Sequence, residues 1–207
     1  MKSAAKGTKG QSLKTFLNGV WRDHPIFSMI LGICSALAVS NKVENAIAMG
    51  AGVTFVLLAT GLLIAMLRRL IPTRVRMITY MIVIATFVIV VDRVLKALFP
   101  DISQAIGPYV GLIITNCIIM GRAEAFYIQN NIGQSLIDAL ANGFGYTYTL
   151  VSVAVVRELL GFGTILGFQV MPEGFTKWVV MAMAPGAFFV LAIFIWIGRS
   201  LAGMEEE

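Results

Sequence analysis

Six apolar runs follow one another along the chain in the order short, long, long, short, long, long, and no other property restricts its fold so severely. The long runs are Glu44 to Leu67, Val75 to Leu98, Gln134 to Val156 and Lys177 to Ile197, and the short ones are Ile26 to Ser40 and Pro108 to Met120. A helix needs about 20 residues to cross the roughly 30 Å hydrocarbon layer. Runs of about 15 and about 13 residues do not cross it as regular helices. Their ends then lie at membrane depth, where free backbone groups are tolerated only against protein or a cavity. The expected fold is all-α and integral to the membrane, with six transmembrane segments of which the first and fourth are short half-helices.

Composition agrees. The chain is 58% hydrophobic and only 13% charged, with a mean hydropathy of +0.85, against about 25% charged residues in soluble domains. Lipid must be part of its solvent. The formal charge of +5 does not indicate a nucleic-acid partner, because the basic residues gather at the ends of apolar runs, as topology signals do. With the N-terminus inside, 11 of the 16 Lys and Arg fall on the cytoplasmic side, including Arg68, Arg69, Arg74 and Arg76. Both termini are therefore expected in the cytoplasm. Residues 1–22 read as a retained basic tail without a signal-peptide pattern, 23–200 as one membrane domain, and 201–207 as a short acidic tail.

The recurring order divides that domain into two three-helix repeats, about 23–100 and 101–200. Ala65-Met-Leu-Arg-Arg-Leu-Ile71 resembles Ala154-Val-Val-Arg-Glu-Leu-Leu160, and each short run carries one cysteine. Three crossings per repeat invert the second relative to the first.

Few residues carry chemistry. Cys34 and Cys117 sit one in each short run. A soft metal or an iron–sulfur cluster takes thiolate ligands, normally four. Two isolated cysteines without a CxxC fall short of that, and spacing alone leaves them as packing residues or a disulfide pair. Charges inside apolar runs are costly. Asp92 is expected either to pair locally with Arg93 or Lys96 or to guide a cation. Asp138, near the start of the fifth run, is expected either to favour the helix dipole or to do the same. Glu124 is placed to pair with Arg122, Glu158 with Arg157, and His24 at the membrane interface. No GxGxxG or P-loop is present, so neither a bound nucleotide nor a flavin is expected.

Several stretches carry a resemblance: Cys34-Ser-Ala-Leu-Ala-Val39, Val90-Val-Asp92 with Leu95-Lys-Ala97, Gly111-Leu-Ile-Ile-Thr-Asn-Cys-Ile-Ile-Met-Gly-Arg-Ala-Glu-Ala-Phe126, and Arg157-Glu-Leu-Leu-Gly161. They look like the NqrDE/RnfAE family over about residues 20 to 200. The resemblance implies a subunit of a redox-driven ion pump in the bacterial inner membrane. The parent complex is either a sodium-translocating NADH:quinone oxidoreductase, which reduces ubiquinone, or its sister, the Rnf ferredoxin:NAD oxidoreductase. The Cys-Ser-Ala and Val-Asp-x-x-Leu-Lys-Ala stretches lean toward the former. It further implies a homologous six-helix partner of opposite orientation, a [2Fe-2S] cluster ligated half by Cys34 and Cys117 and half by that partner, other redox subunits, and Na+ as the transported ion. No catalytic activity is expected of the chain alone. Two other classes remain open on the residues themselves: a secondary transporter, which inverted repeats with broken helices also build, and a passive anchoring subunit.

Overall fold

The computed structural model describes residues 26, 29–68, 70–72, 74–98, 100–165, 168–169 and 179–201. The tails, His24 and Lys177 lie outside the described residues. Helix dominates: α1 (Ile33–Val39), α2 (Val43–Leu67), α3 (Arg76–Leu98), α4 (Pro100–Ile114) and α5 (Cys117–Arg122). A π-helical turn (Ala123–Tyr127) prolongs α5, and then come α6 (Ile132–Gly161), α7 (Val179–Ala182) and α8 (Ala184–Leu201). A two-residue antiparallel pair, Thr164–Ile165 with Phe168–Gln169, closes the loop after α6.

Four described stretches are long and apolar enough to cross a membrane: Val43–Leu67, Arg76–Leu98, Gly107–Tyr127 and Ile132–Gly161, joined by the shorter apolar Pro185–Ser200. The chain is a multi-pass membrane protein. In α2 and α6, 50% and 56% of the apolar window is buried, against 22% in α3. The first two are therefore the central helices, and α3 turns Ile78, Ile82, Ile89 and Leu98 outward.

The central pair meets through one pattern used twice. Gly50-Ala-Gly-Val-Thr54 on α2 and Gly143-Phe-Gly-Tyr-Thr147 on α6 share Gly-x-Gly-x-Thr. A Cβ on Gly50 would stand 2.6 Å from the Thr147 methyl, and one on Gly143 2.7 Å from the Thr54 methyl. Each threonine lies in the notch of the other helix's glycine, so the helices run antiparallel at close range, as small residues permit in a membrane. Thr54 Oγ1 donates to Gly50 O and Thr147 Oγ1 to Gly143 O, both at 2.8 Å. The two hydroxyls face each other at 3.4 Å.

The first run forms a helix of only seven residues. Ile30 (φ 53°) and Gly32 (φ 83°) turn the chain into it through left-handed conformations. Gly32 suits this, whereas a β-branched isoleucine there stores about 1–3 kcal/mol of strain. The fourth run differs from expectation. It is not one short helix from Pro108 but two pieces, α4 from Pro100 and α5, interrupted at Thr115–Asn116. Pro108 lies inside α4. A proline removes one helical hydrogen bond and need not end the helix when its neighbours repair the loss. The sixth run also departs from continuity, breaking at Met183 between α7 and α8. The fold there is so tight that a Cβ on Gly186 would reach Val180 O at 2.4 Å.

Candidate functional site

The two short helices begin side by side. From Gly32, α1 runs to the end of the bundle where α2 starts. From Cys117, α5 runs toward the opposite end, where Arg68 of α2 donates to Asn130 O (2.9 Å) and Asn131 Oδ1 (3.3 Å). Their first turns therefore meet away from both ends of the bundle. The Gly32 N–H donates to Cys117 Sγ at 2.8 Å. Glycine suits the position, with φ at 83° and a Cβ there standing 2.5 Å from Ile118 Cδ1.

A saturated polar junction holds this meeting. Ser35 Oγ donates to Gly32 O (3.1 Å), contacts Tyr146 OH (2.7 Å) and accepts from Asn116 Nδ2 (3.2 Å). With its one hydrogen on Gly32 O, Ser35 accepts from both others, so Tyr146 is the donor. The Asn116 Oδ1 accepts from Ile118 N (3.0 Å), capping α5. Ser35, Asn116 and Tyr146 are all buried, so each bond replaces water that cannot reach the site. Tyr146→Phe should lower stability by about 1 kcal/mol, read as an earlier tryptophan-fluorescence melt of the solubilised protein. An unmoved midpoint would show the junction to be idle.

Cys34 is exposed and Cys117 half-buried, and both are free thiols. Among the described residues no group of three or more His, Cys, Asp or Glu comes together. Both thiols are soft donors of the kind an iron–sulfur cluster takes, two of the usual four. One of them is open to whatever packs alongside.

A second polar centre lies where α5, the π turn and α6 meet. Arg122 and Asp138 form a buried, two-pronged ion pair, with Arg122 Nε donating to Asp138 Oδ2 at 2.9 Å and Nη2 to Oδ1. The guanidinium stacks 5.1 Å from the Phe126 ring centre and reaches Met29 Sδ at 3.8 Å. Asp138 thus answers an arginine rather than the helix terminus. Asp92 pairs with Lys96 at 2.6 Å on the partly exposed end of α3.

Two expected pairs are replaced. Glu124 binds Arg76 (3.0 Å) and accepts from Tyr80 OH (3.1 Å), not from Arg122. Glu158 accepts from Val43 N (2.7 Å) and from Thr164 Oγ1 (3.5 Å), so its carboxylate caps α2. Arg157, only 2% exposed, has a structural role that nothing in its sequence neighbourhood signals. It donates to Ser40 Oγ, Leu37 O (3.4 Å), Met181 O (3.2 Å) and Met183 O (3.3 Å).

Known proteins resemble this chain closely. Residues 12–195 match the family described as Rnf-Nqr subunit, membrane protein. The D-subunit of the Na(+)-translocating NADH-quinone reductase of Chlamydia felis is 45% identical over 202 residues, covering 93% of this chain and 95% of the relative. The proteins of the same name from Chlamydia pneumoniae and Chlamydia trachomatis serovar D are 43% identical over 201 residues and 44% over 200 residues. Each of those two alignments covers 92% of this chain and 94% of the relative.

Proposed function

The chain belongs to the Rnf-Nqr family of membrane subunits, and from that premise we propose that it serves as the D-subunit of a sodium-translocating NADH:quinone oxidoreductase. The named relatives favour this over the Rnf branch. In this reading the membrane domain is two inverted three-helix repeats. The repeated Gly-x-Gly-x-Thr on α2 and α6, back-bonded in the same way in both, supports that symmetry.

The observation that carries the function is the contact of Gly32 N with Cys117 Sγ, which brings the cysteine-bearing first turns of both short helices together inside the bundle. Cys34 and Cys117 supply two ligands of a [2Fe-2S] cluster, and a homologous partner of opposite orientation supplies two more. The outward exposure of Cys34 suits such sharing. When bound, the cluster supplies a one-electron relay within the apolar slab.

The chain's own residues do the rest. Gly32 donates a hydrogen bond to a ligand sulfur, an interaction that adjusts cluster potential. Ser35, Asn116 and Tyr146 fix the two first turns relative to each other. Asp92 and Asp138 are the carboxylates assigned to the sodium path. The complex lies in the bacterial inner membrane with both termini of this chain in the cytoplasm.

An affinity tag on this chain tests the assignment. Mild solubilisation should yield a multi-subunit complex that contains iron and reduces quinone with NADH, faster when sodium is added. Recovery of the chain alone, or sodium uptake without NADH, would instead indicate a secondary transporter.

A further inference from the structure

Among the described residues, four buried side-chain oxygens have no hydrogen-bond partner: Thr60 Oγ1, Tyr127 OH, Ser135 Oγ and Asn142 Oδ1. Leaving such a group unpaired costs about 1–3 kcal/mol, so each needs an explanation. Three of them, Thr60, Tyr127 and Ser135, gather near Asp138. Ser135 lies one turn before Asp138 on α6, whereas Asn142 lies two turns beyond Ser135, about 10 Å along the axis, with its Nδ2 donating to Asp138 O at 2.9 Å. Tyr127 is in electrostatic range of both Asp138 and Arg122, and its ring lies 3.4 Å from a Cβ built on Gly61. The antiparallel crossing sets residue 50 beside 147 and 54 beside 143. That register carries Thr60 level with residue 137, next to Asp138.

The hydroxyls behave unusually for helical residues. Thr54, Thr79, Thr86, Thr147, Thr149 and Ser152 all turn back onto the carbonyl four residues earlier. Thr60 and Ser135 forgo that bond, although it is open to any helical serine or threonine.

We propose that Thr60, Tyr127 and Ser135, together with Asp138, form a binding site for a dehydrated sodium ion, in which Arg122 is the resident competitor for the carboxylate. This deepens the sodium-path reading and rests on it. Neutral oxygen donors suit a hard cation. A single carboxylate, already matched by one guanidinium, suits a monovalent ion over a divalent one. Net charge dictates exchange: a sodium ion entering this buried cluster is stabilised only as Arg122 loosens its hold on Asp138.

The competition gives two opposite effects, measurable in the purified complex with NaCl against choline chloride at constant ionic strength. Thr60→Val with Ser135→Ala should raise the sodium concentration for half-maximal quinone reduction about tenfold and abolish the sodium-specific rise in melting temperature. Removing unpaired hydroxyls also removes a penalty, so this variant should assemble at least as well as the parent. Arg122→Gln should lower the half-maximal sodium concentration, because Asp138 then lacks its counter-charge. Unchanged sodium dependence in the hydroxyl variant means that ordered water alone fills the site, and the proposal falls. If Asp138→Asn shifts the sodium dependence while the hydroxyl variant does not, the site falls and the path reading stands. A parent complex indifferent to sodium overturns both.

Discussion

Cys34→Ala and Cys117→Ala should each strip the complex of the iron shared with the partner chain, erase its electron paramagnetic resonance signal and reduce sodium-dependent quinone reduction to background. Four thiolates ordinarily hold such a cluster, and alanine offers no donor. At Cys34 the change touches little else, whereas at Cys117 it also removes the acceptor of the Gly32 N–H. Cys34 is exposed, and trimming an exposed small side chain usually moves stability by no more than about 0.5 kcal/mol. A lost signal in a variant that still assembles therefore reports ligation rather than misfolding. Serine should rescue poorly, because a hard hydroxyl is a weak substitute for soft sulfur. Wild-type iron and an unchanged spectrum in both alanine variants would return the cysteines to the role of packing residues.

The largest structural loss should come from Arg157. Its guanidinium bonds Leu37 O at the end of α1 together with Met181 O and Met183 O, which the break between α7 and α8 leaves free. One side chain thus satisfies carbonyls from two interrupted segments in a place where water does not compete. Arg157→Met removes every donor and should cost about 3–5 kcal/mol, the usual scale for leaving buried partners of a charge unpaired. In cells this should appear as near-complete loss of the chain from membranes, by immunoblot. Arg157→Lys should recover little, since a lysine cannot reproduce the planar fork that reaches several acceptors at once. Normal abundance of the methionine variant would sink the clamp.

Much of the fold is legible in the residues alone, and the departures have physical causes. The helices α2, α3 and α6 follow the apolar runs because a membrane demands length and apolarity, both visible in one dimension. Asp92 with Lys96 is legible because residues four apart share a helix face. Glu124 with Arg122 and Glu158 with Arg157 fail by the same rule, since residues two apart or adjacent do not face each other. Arg122 with Asp138 needs the turn after α5, which no local spacing encodes. Pro108 looks like a boundary in the sequence, but a helix bundle can absorb a proline. The true break at Thr115–Asn116 has a signal in Asn116, a residue type favoured where helices begin. Ser35 and Tyr146, far apart in the sequence, join only through tertiary structure.

The π-helical turn at Ala123–Tyr127 has a consequence for how this stretch tolerates change in length. The Ile128 N–H bonds to Ala123 O, five residues back rather than four. In an ordinary α-helix, residues five apart point about 140° away from each other, so Arg122 and Tyr127 could not both face inward. The wider turn brings both to the interior, 6% and 0% exposed. With one residue fewer between them, an ordinary α-helix would hold the same two side chains about 40° apart, so the wider turn absorbs a single extra residue without changing which side chains face inward. Along this stretch the backbone, rather than the side chains, takes up a difference of one residue in length.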